Sequence, residues 1–252
     1  MRGDRRSRSA LALVVLGAAI AACSTIQPST SVAPTPTVVV ADLETIRADI
    51  EQTYAGQFVG IGIGPGVVSI AFQSTALEAA RAVVAKYGPA VQVSVGLFPF
   101  PAPPGALPNP CVKILATHTI EDPGPLRARI EMPAQIAHGF FKANVRVVNT
   151  GPEAVGLTSG QPAIVTLYRP AEVQPIGGFA GGIGGTGLEL ILQPGGSTVI
   201  PAVGGTASCD LAVGYEIPDG QYVARAAVEN GLGPIVPAFV TEPFLVTVAT
   251  TP

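Results

Sequence analysis

The side chains able to do chemistry are few, and their spacing limits what they can do. Two histidines, His118 and His138, could each in principle serve a nucleophilic triad with Ser159, Ser197 or Ser208, the imidazole taking the hydroxyl proton. None of these serines stands in the G-x-S-x-G turn that exposes a nucleophile at the end of a strand. Glu121-Asp122, ahead of Pro-Gly-Pro, could pair as general acid and base but reads as a solvated turn. Asp210 beside Cys209 and Glu216 beside Tyr215 read as loop charges. The string "GGFAGGIGGTG", residues 177–187, contains a literal G-x-G-x-x-G at Gly182–Gly187. A dinucleotide fingerprint needs a strand before it and a helix N-terminus after it, so that backbone amides and the helix dipole meet the pyrophosphate. Here a proline-containing loop precedes it, and "LELILQPGG" is too short for a crossover helix. The string therefore reads as a loop between strands, and "GIGIGPG" at 60–66 reads as part of a hairpin. No zinc or EF-hand spacing occurs. The expectation is a protein with no cofactor, no metal and no catalytic constellation of its own.

The elements that would position these residues begin at the amino end. Residues 1–9, "MRGDRRSRS", carry four arginines and one aspartate, and an apolar run of thirteen residues follows from Ala10 to Ala22. A helix spanning a bilayer takes about 20 residues, so this run fits a secretory signal peptide. Ile20-Ala21-Ala22-Cys23 resembles the bacterial lipobox, with Ile where Leu is commoner. The resemblance implies cleavage before Cys23, a diacylglycerol on its thiol and an acylated amino terminus, and two or more chains give durable anchoring. Residues 1–22 are then the signal peptide. Residues 23–40, rich in Ser, Thr and Pro and uncharged, form a tether that cannot bury a core.

Removing residues 1–22 takes away four arginines and one aspartate, leaving 10 basic and 16 acidic side chains, a net charge of −6. That balance argues against nucleic acid and against a polybasic membrane surface. Three lysines against eleven arginines, with abundant Ala, Gly, Pro and Val, suggest a GC-rich bacterial genome such as an actinomycete's. Setting Cys23 aside, Cys111 and Cys209 remain. In an oxidising extracytoplasmic space they most simply pair, with two free thiols the alternative and a metal site disfavoured for want of further ligands.

The fold class expected is α+β, a small α-β-β-α-β unit followed by an antiparallel β-sandwich. In residues 41–99, "ADLETIRADIEQTYA" puts Leu43, Ile46, Ile50 and Tyr54 on one helical face, with Asp42 as N-cap. "FVGIGIGPGVVSIAF" reads as two strands around Gly64-Pro65-Gly66. Thr75 and Glu78 have capping-box spacing before a helix facing inward with Leu77, Ala80, Val84 and Tyr87, and "VQVSVGLF" completes an antiparallel sheet. "FPFPAPPGALPNP", residues 98–110, holds six prolines and marks the boundary, with 100–110 as linker. A unit of about 60 residues is near the lower limit for independent folding, so it should lean on its neighbour. Residues 111–252 carry strand patterns, among them "LRARIEM", "FFKANVRVV", "AIVTLYR", "LELIL", "STVIPA", "QYVARAAV" and "FLVTVA".

"IPDGQYVARAAV" resembles the Asp-x-x-Tyr corner that opens a late strand of immunoglobulin-like domains, with Asp219 and Tyr222 at the matching positions. The resemblance implies a Tyr222 hydroxyl bonded back to the upstream backbone. Ala224 stands where antibody domains have a cysteine, so their inter-sheet bridge is not the one in use. Residues 140–228 are similar to immunoglobulin-like domains of bacterial secreted and inhibitor-type proteins. The reading is a lipid-anchored, extracytoplasmic protein, attached to the membrane through Cys23, that binds or scaffolds an unidentified protein partner. The alternative is a protease inhibitor or modulator of a secreted enzyme, acting through loop 177–187. The sequence sets no oligomeric state.

Overall fold

Alternating apolar residues and proline-glycine turns produce a β-rich α+β chain. The computed structural model describes residues 40–105, 107–111, 118–120, 122–181, 186–230 and 236–250. Residues 37–252 make one compact unit. Cys23 with its lipobox, the tether up to residue 39, Glu121 and Gly182–Gly185 lie outside the described residues.

Helix α1 (Val40–Thr53) turns Leu43 and Ile50 fully inward and rests Ile46 and Tyr54 on the same cluster. It starts ahead of Asp42, so that residue is not the N-cap but an acid in the first turn, where the helix dipole favours it. Strands β1 (Phe58–Gly64) and β2 (Val67–Phe72) form a hairpin closed by Pro65-Gly66, with Gly66 at φ 78°, as a type II turn requires. Helix α2 (Leu77–Tyr87) begins after Ala76, and no side chain caps it. The Thr75 capping box is therefore not formed: the helix starts one residue too late for it. Its buried line is Ala79, Ala80 and Val83, with Leu77, Val84 and Tyr87 half-buried at the flanks. Small residues let the helix settle closely on the sheet.

Strand β3 (Val91–Val95) runs parallel to β2, which corrects the expected antiparallel sheet. The eleven-residue helix α2 carries the chain back across the sheet, and such a crossover returns it in the same direction. Strand β4 (Phe98–Phe100) pairs antiparallel with β3, so the first residues of the proline-rich stretch belong to the sheet. The order is β1-β2-β3-β4, with Val68, Ile70, Phe72, Val93 and Val95 packed under the helices.

The rest of the chain is strands: β5 (His118–Ile120), β6 (Leu126–Glu131), β7 (Gln135–Ile136), β8 (Phe140–Asn149), β9 (Val155–Gln161), β10 (Ala163–Tyr168), β11 (Pro175–Gly178), β12 (Thr186–Leu192), β13 (Ser197–Gly205), β14 (Ala207–Ser208), β15 (Gly220–Glu229), β16 (Val236–Val240) and β17 (Phe244–Val248). The main path is β5-β16-β15-β10-β13-β8-β6, with β7, β11, β14 and β17 paired at its margins. Among the described residues, strands β9 and β12 pair only with each other. Leu157 and Leu192 of that ribbon join Val145, Val147, Val165, Ile200, Ala224 and Val246 in one buried cluster. The sheet is not purely antiparallel as expected: β10–β13, β5–β16 and β7–β17 are parallel pairs. An excursion through β11 and β12 separates β10 from β13, long enough to bring the chain back in the same direction.

Buried Asn149 closes this region. Its Nδ2 donates to the carbonyls of Glu153 (2.7 Å) and Leu192 (2.9 Å), and its Oδ1 accepts from the Gly151 amide at 2.9 Å.

Candidate functional site

The segment between β14 and β15 is held at its start by the Cys111–Cys209 disulfide, whose two cysteines are buried. The bridge ties the end of the proline-rich stretch to a loop, residues 209–217, that reaches the helix-covered sheet. Tyr215 of this loop packs against the cluster beneath the helices and meets the Phe100 ring edge-on at 6.1 Å. Burial pushes its hydroxyl above the ordinary tyrosine range. Tyr215 is thus one of the side chains through which the loop touches the small unit.

The next residue, Glu216, is not a solvated loop charge. Its side chain is 21% exposed. Its Oε1 accepts hydrogen bonds from Ser74 Oγ at 2.8 Å and Thr206 Oγ1 at 3.0 Å. Its Oε2 lies 3.0 Å from His138 Nδ1, without the alignment of a hydrogen bond, and that nitrogen is buried. The other ring nitrogen, Nε2, stands 2.6 Å from Asp219 Oδ1. Thr250, just past β17, donates its backbone N–H to Asp219 Oδ2 at 3.3 Å, and its hydroxyl is 3.1 Å from both carboxylate oxygens. The His138 hydrogen bond is the largest influence holding the Asp219 carboxyl below the usual range, and the Thr250 amide adds to it.

The cluster thus joins the turn before α2, the residues before β8, strand β13's exit and the end of β17. Its order, Ser74–Glu216–His138–Asp219, puts a carboxylate between serine and imidazole. A nucleophilic triad needs the imidazole against the hydroxyl, so this arrangement clamps elements and does not activate Ser74. Of the serines considered from sequence, Ser208 is buried with Oγ donating to the Asp210 carbonyl at 2.8 Å. Ser159 is buried in the β9–β12 ribbon, and Ser197 is exposed at the start of β13. His118 opens β5, and its side chain is outside the described residues. Asp122 Oδ1 accepts from the Gly124 amide at 3.0 Å, and Asp210 Oδ1 from the Ala212 amide at 2.9 Å, so both cap turns. The glycine-rich string begins in β11 and runs into strand β12 at Thr186, not into a helix. Among the described residues no group of three His, Cys, Asp or Glu could hold a metal ion, and no helix is long and apolar enough to cross a membrane.

Tyr222 donates its hydroxyl to the Pro218 carbonyl at 2.7 Å. Asp219 faces His138 from the same turn. Reading Asp219 and Tyr222 as one local motif therefore missed half of what Asp219 does. No local signal could have shown it, because His138, Ser74 and Thr250 are far from it in sequence.

No family model and no curated protein matches the chain. Among solved structures, a β-glucosidase from Erythrobacter marinus aligns with 49% of the chain and 15% of its own length, at 15% identity and TM-score 0.28. The Pseudomonas fluorescens alkylpurine DNA glycosylase AlkC aligns with 47% of the chain and 30% of its own length, at 13% identity and TM-score 0.22. A PapD-like domain of human CEP192 aligns with 52% of the chain and 89% of its own length, at 13% identity and TM-score 0.19. Likenesses at this level carry no statement about fold or activity.

Proposed function

We propose that this chain is an extracytoplasmic lipoprotein, held to the membrane by acyl chains on Cys23, whose β-rich part is an immunoglobulin-like module that binds or scaffolds a protein partner. The observation that carries the reading is the Cys111–Cys209 bridge. Disulfides persist in oxidising compartments, and this one engages both other cysteines, leaving Cys23 outside it, directly behind Ile20-Ala21-Ala22. The immunoglobulin-like assignment draws on the Tyr222–Pro218 hydrogen bond and on the alternating burial of β8 and β15. A binding role in place of catalysis is favoured by the His138 ring, both of whose nitrogens face carboxylates and neither a hydroxyl.

The test is metabolic labelling with radioactive palmitate, together with membrane fractionation, for the wild type and Cys23→Ala. Label in the wild-type band, its loss in the variant and release of the variant from the membrane fraction are expected. An unlabelled wild type, or a variant that fractionates unchanged, overturns the anchor.

A further inference from the structure

On the outer face of the main sheet, Tyr168 of β10, Val223 of β15 and Leu245 of β17 stand in one row across three strands. Arg225 lies two residues along β15, opposite Thr166. Its guanidinium sits over the Tyr168 ring, 5.7 Å from the centroid. Tyr168 is buried, and its hydroxyl accepts from Thr166 Oγ1 at 3.1 Å. The arginine is therefore stacked on a fixed platform.

Other arginines have taken partners. Arg47, Arg81, Arg129, Arg146 and Arg169 each pair with a glutamate, and Arg127 donates to backbone carbonyls. Among the described residues no carboxylate lies within ion-pair distance of Arg225, which leaves its fork of donors open. Arg225 and Val223 line a groove with Val240 and with the turn after β10. In that turn Ala171 holds φ at 67°, a left-handed conformation that is unfavourable for a non-glycine residue. Val173, in the same turn, is 86% exposed, and Leu245 is 58% exposed at the row's end. An arginine positioned over a tyrosine ring is of the type that anchors interaction hot spots, and the exposed aliphatic side chains beside it give a partner apolar surface to cover.

We propose that this groove docks an extended acidic-aliphatic segment of a partner protein. Its carboxylate is taken by the Arg225 fork, and its flanking aliphatic side chains cover Val173, Val223 and Leu245. Charge complementarity selects the occupant, because a stacked guanidinium matches a carboxylate bidentately. An anionic lipid surface is a poorer match, since such surfaces are read by clusters of about 4–8 basic residues. Among the described residues lining the groove, Arg169 is the one other basic side chain, and Glu172 pairs with it at 3.4 Å. The proposal rests on the binding role above, not on the anchor.

The probe is an acetylated, amidated peptide, Ser-Val-Leu-Glu-Val-Leu-Ser, titrated into the full chain while the arginine Nε–H signals are followed by NMR. The controls are the same peptide with Gln for Glu, vesicles of phosphatidylglycerol, and inorganic phosphate. Wild type and Cys23→Ala are run in parallel, so the result stands apart from the fate of the anchor. Saturable binding of the Glu peptide that shifts Arg225 Nε–H is expected. It should weaken at least about tenfold with the Gln peptide or with Arg225→Met. Leu245→Ser, at an exposed position, should weaken it several-fold with an unchanged unfolding midpoint, which covers the case of a poorly folded Arg225→Met. Absence of saturable binding of the Glu peptide, equal affinity for the Gln peptide, or Arg225-dependent binding of vesicles or phosphate in preference to the peptide overturns the proposal.

Discussion

Replacing both Cys111 and Cys209 by alanine should lower stability by about 4–5 kcal/mol. The two residues are 98 apart in sequence. Opening a loop of that length returns to the unfolded chain an entropy of about 16 cal/mol/K, or ~4.7 kcal/mol at 25 °C in the chain-entropy model. Alanine is the substitution of choice because both cysteines are buried, and serine would add two unsatisfied hydroxyls. The space left by the sulfurs adds a cavity cost of the same sign. For a unit of about 200 residues, 1 kcal/mol moves Tm by about 2–4 °C, so the midpoint should fall by about 8–20 °C. The effect should be felt first where the bridge acts. Loop 209–217 carries Tyr215 and Glu216 onto the helix-covered sheet, so limited proteolysis should cut the variant there before the core strands open. The assay is urea unfolding of wild type and double variant, with peptide mapping of the unreduced wild type to locate the bridge. A loss under about 1 kcal/mol, or free thiols at both positions in the unreduced protein, would refute the reasoning.

Asn149→Ala should cost about 2–3 kcal/mol in urea unfolding, since it strands the buried Leu192 carbonyl and removes the part-buried bonds to the Glu153 carbonyl and the Gly151 amide. Tyr222→Phe removes only the bond to Pro218 and should cost about 1 kcal/mol; an unchanged midpoint would mean the hydroxyl is equally well solvated when unfolded. Glu216→Ala takes the acceptor from Ser74 and Thr206 together and should cost about 2 kcal/mol, whereas Ser74→Ala alone should cost less. Asp219 has its folded pKa depressed below 3.8 by His138 and Thr250, so its contribution is present above the unfolded value and is lost as pH falls through the folded one. The stability gap between wild type and Asp219→Asn, measured at a series of pH values, should hold at pH 5 and close progressively below about pH 4; a gap that widened on acidification would contradict the assignment.

Period-two patterns were enough to find most long strands, because burial of one face imposes alternation directly on the chain. In "FFKANVRVV" the alternate residues Ala143, Val145 and Val147 are buried in β8, and in "QYVARAAV" Tyr222, Ala224, Ala226 and Val228 are buried in β15, while Pro65-Gly66 marks its own turn. Cysteine number and compartment chemistry likewise pointed to Cys111 with Cys209. Strand direction was not written locally. A strand's composition is the same whether its neighbour runs parallel or antiparallel, and what turned β2–β3 and β10–β13 parallel was the intervening chain. The same limit applies to polar side chains. Ser74, Glu216 and Thr250 look like ordinary surface residues in their own segments, and nothing near His138 or Asp219 in sequence shows that they meet. Tertiary packing links them into one chain of contacts of 2.6–3.3 Å, with Ser74 reaching Glu216 from the small unit and His138, Asp219 and Thr250 meeting within the β-rich part. Arg225 reads from sequence as one outward residue of an alternating strand, and only the register with β10 puts Tyr168 beneath it. Short-range periodicity therefore determined which residues are inside. Contacts between distant segments decided which polar groups meet, because their energy depends on positions the chain reaches only once its cores have formed.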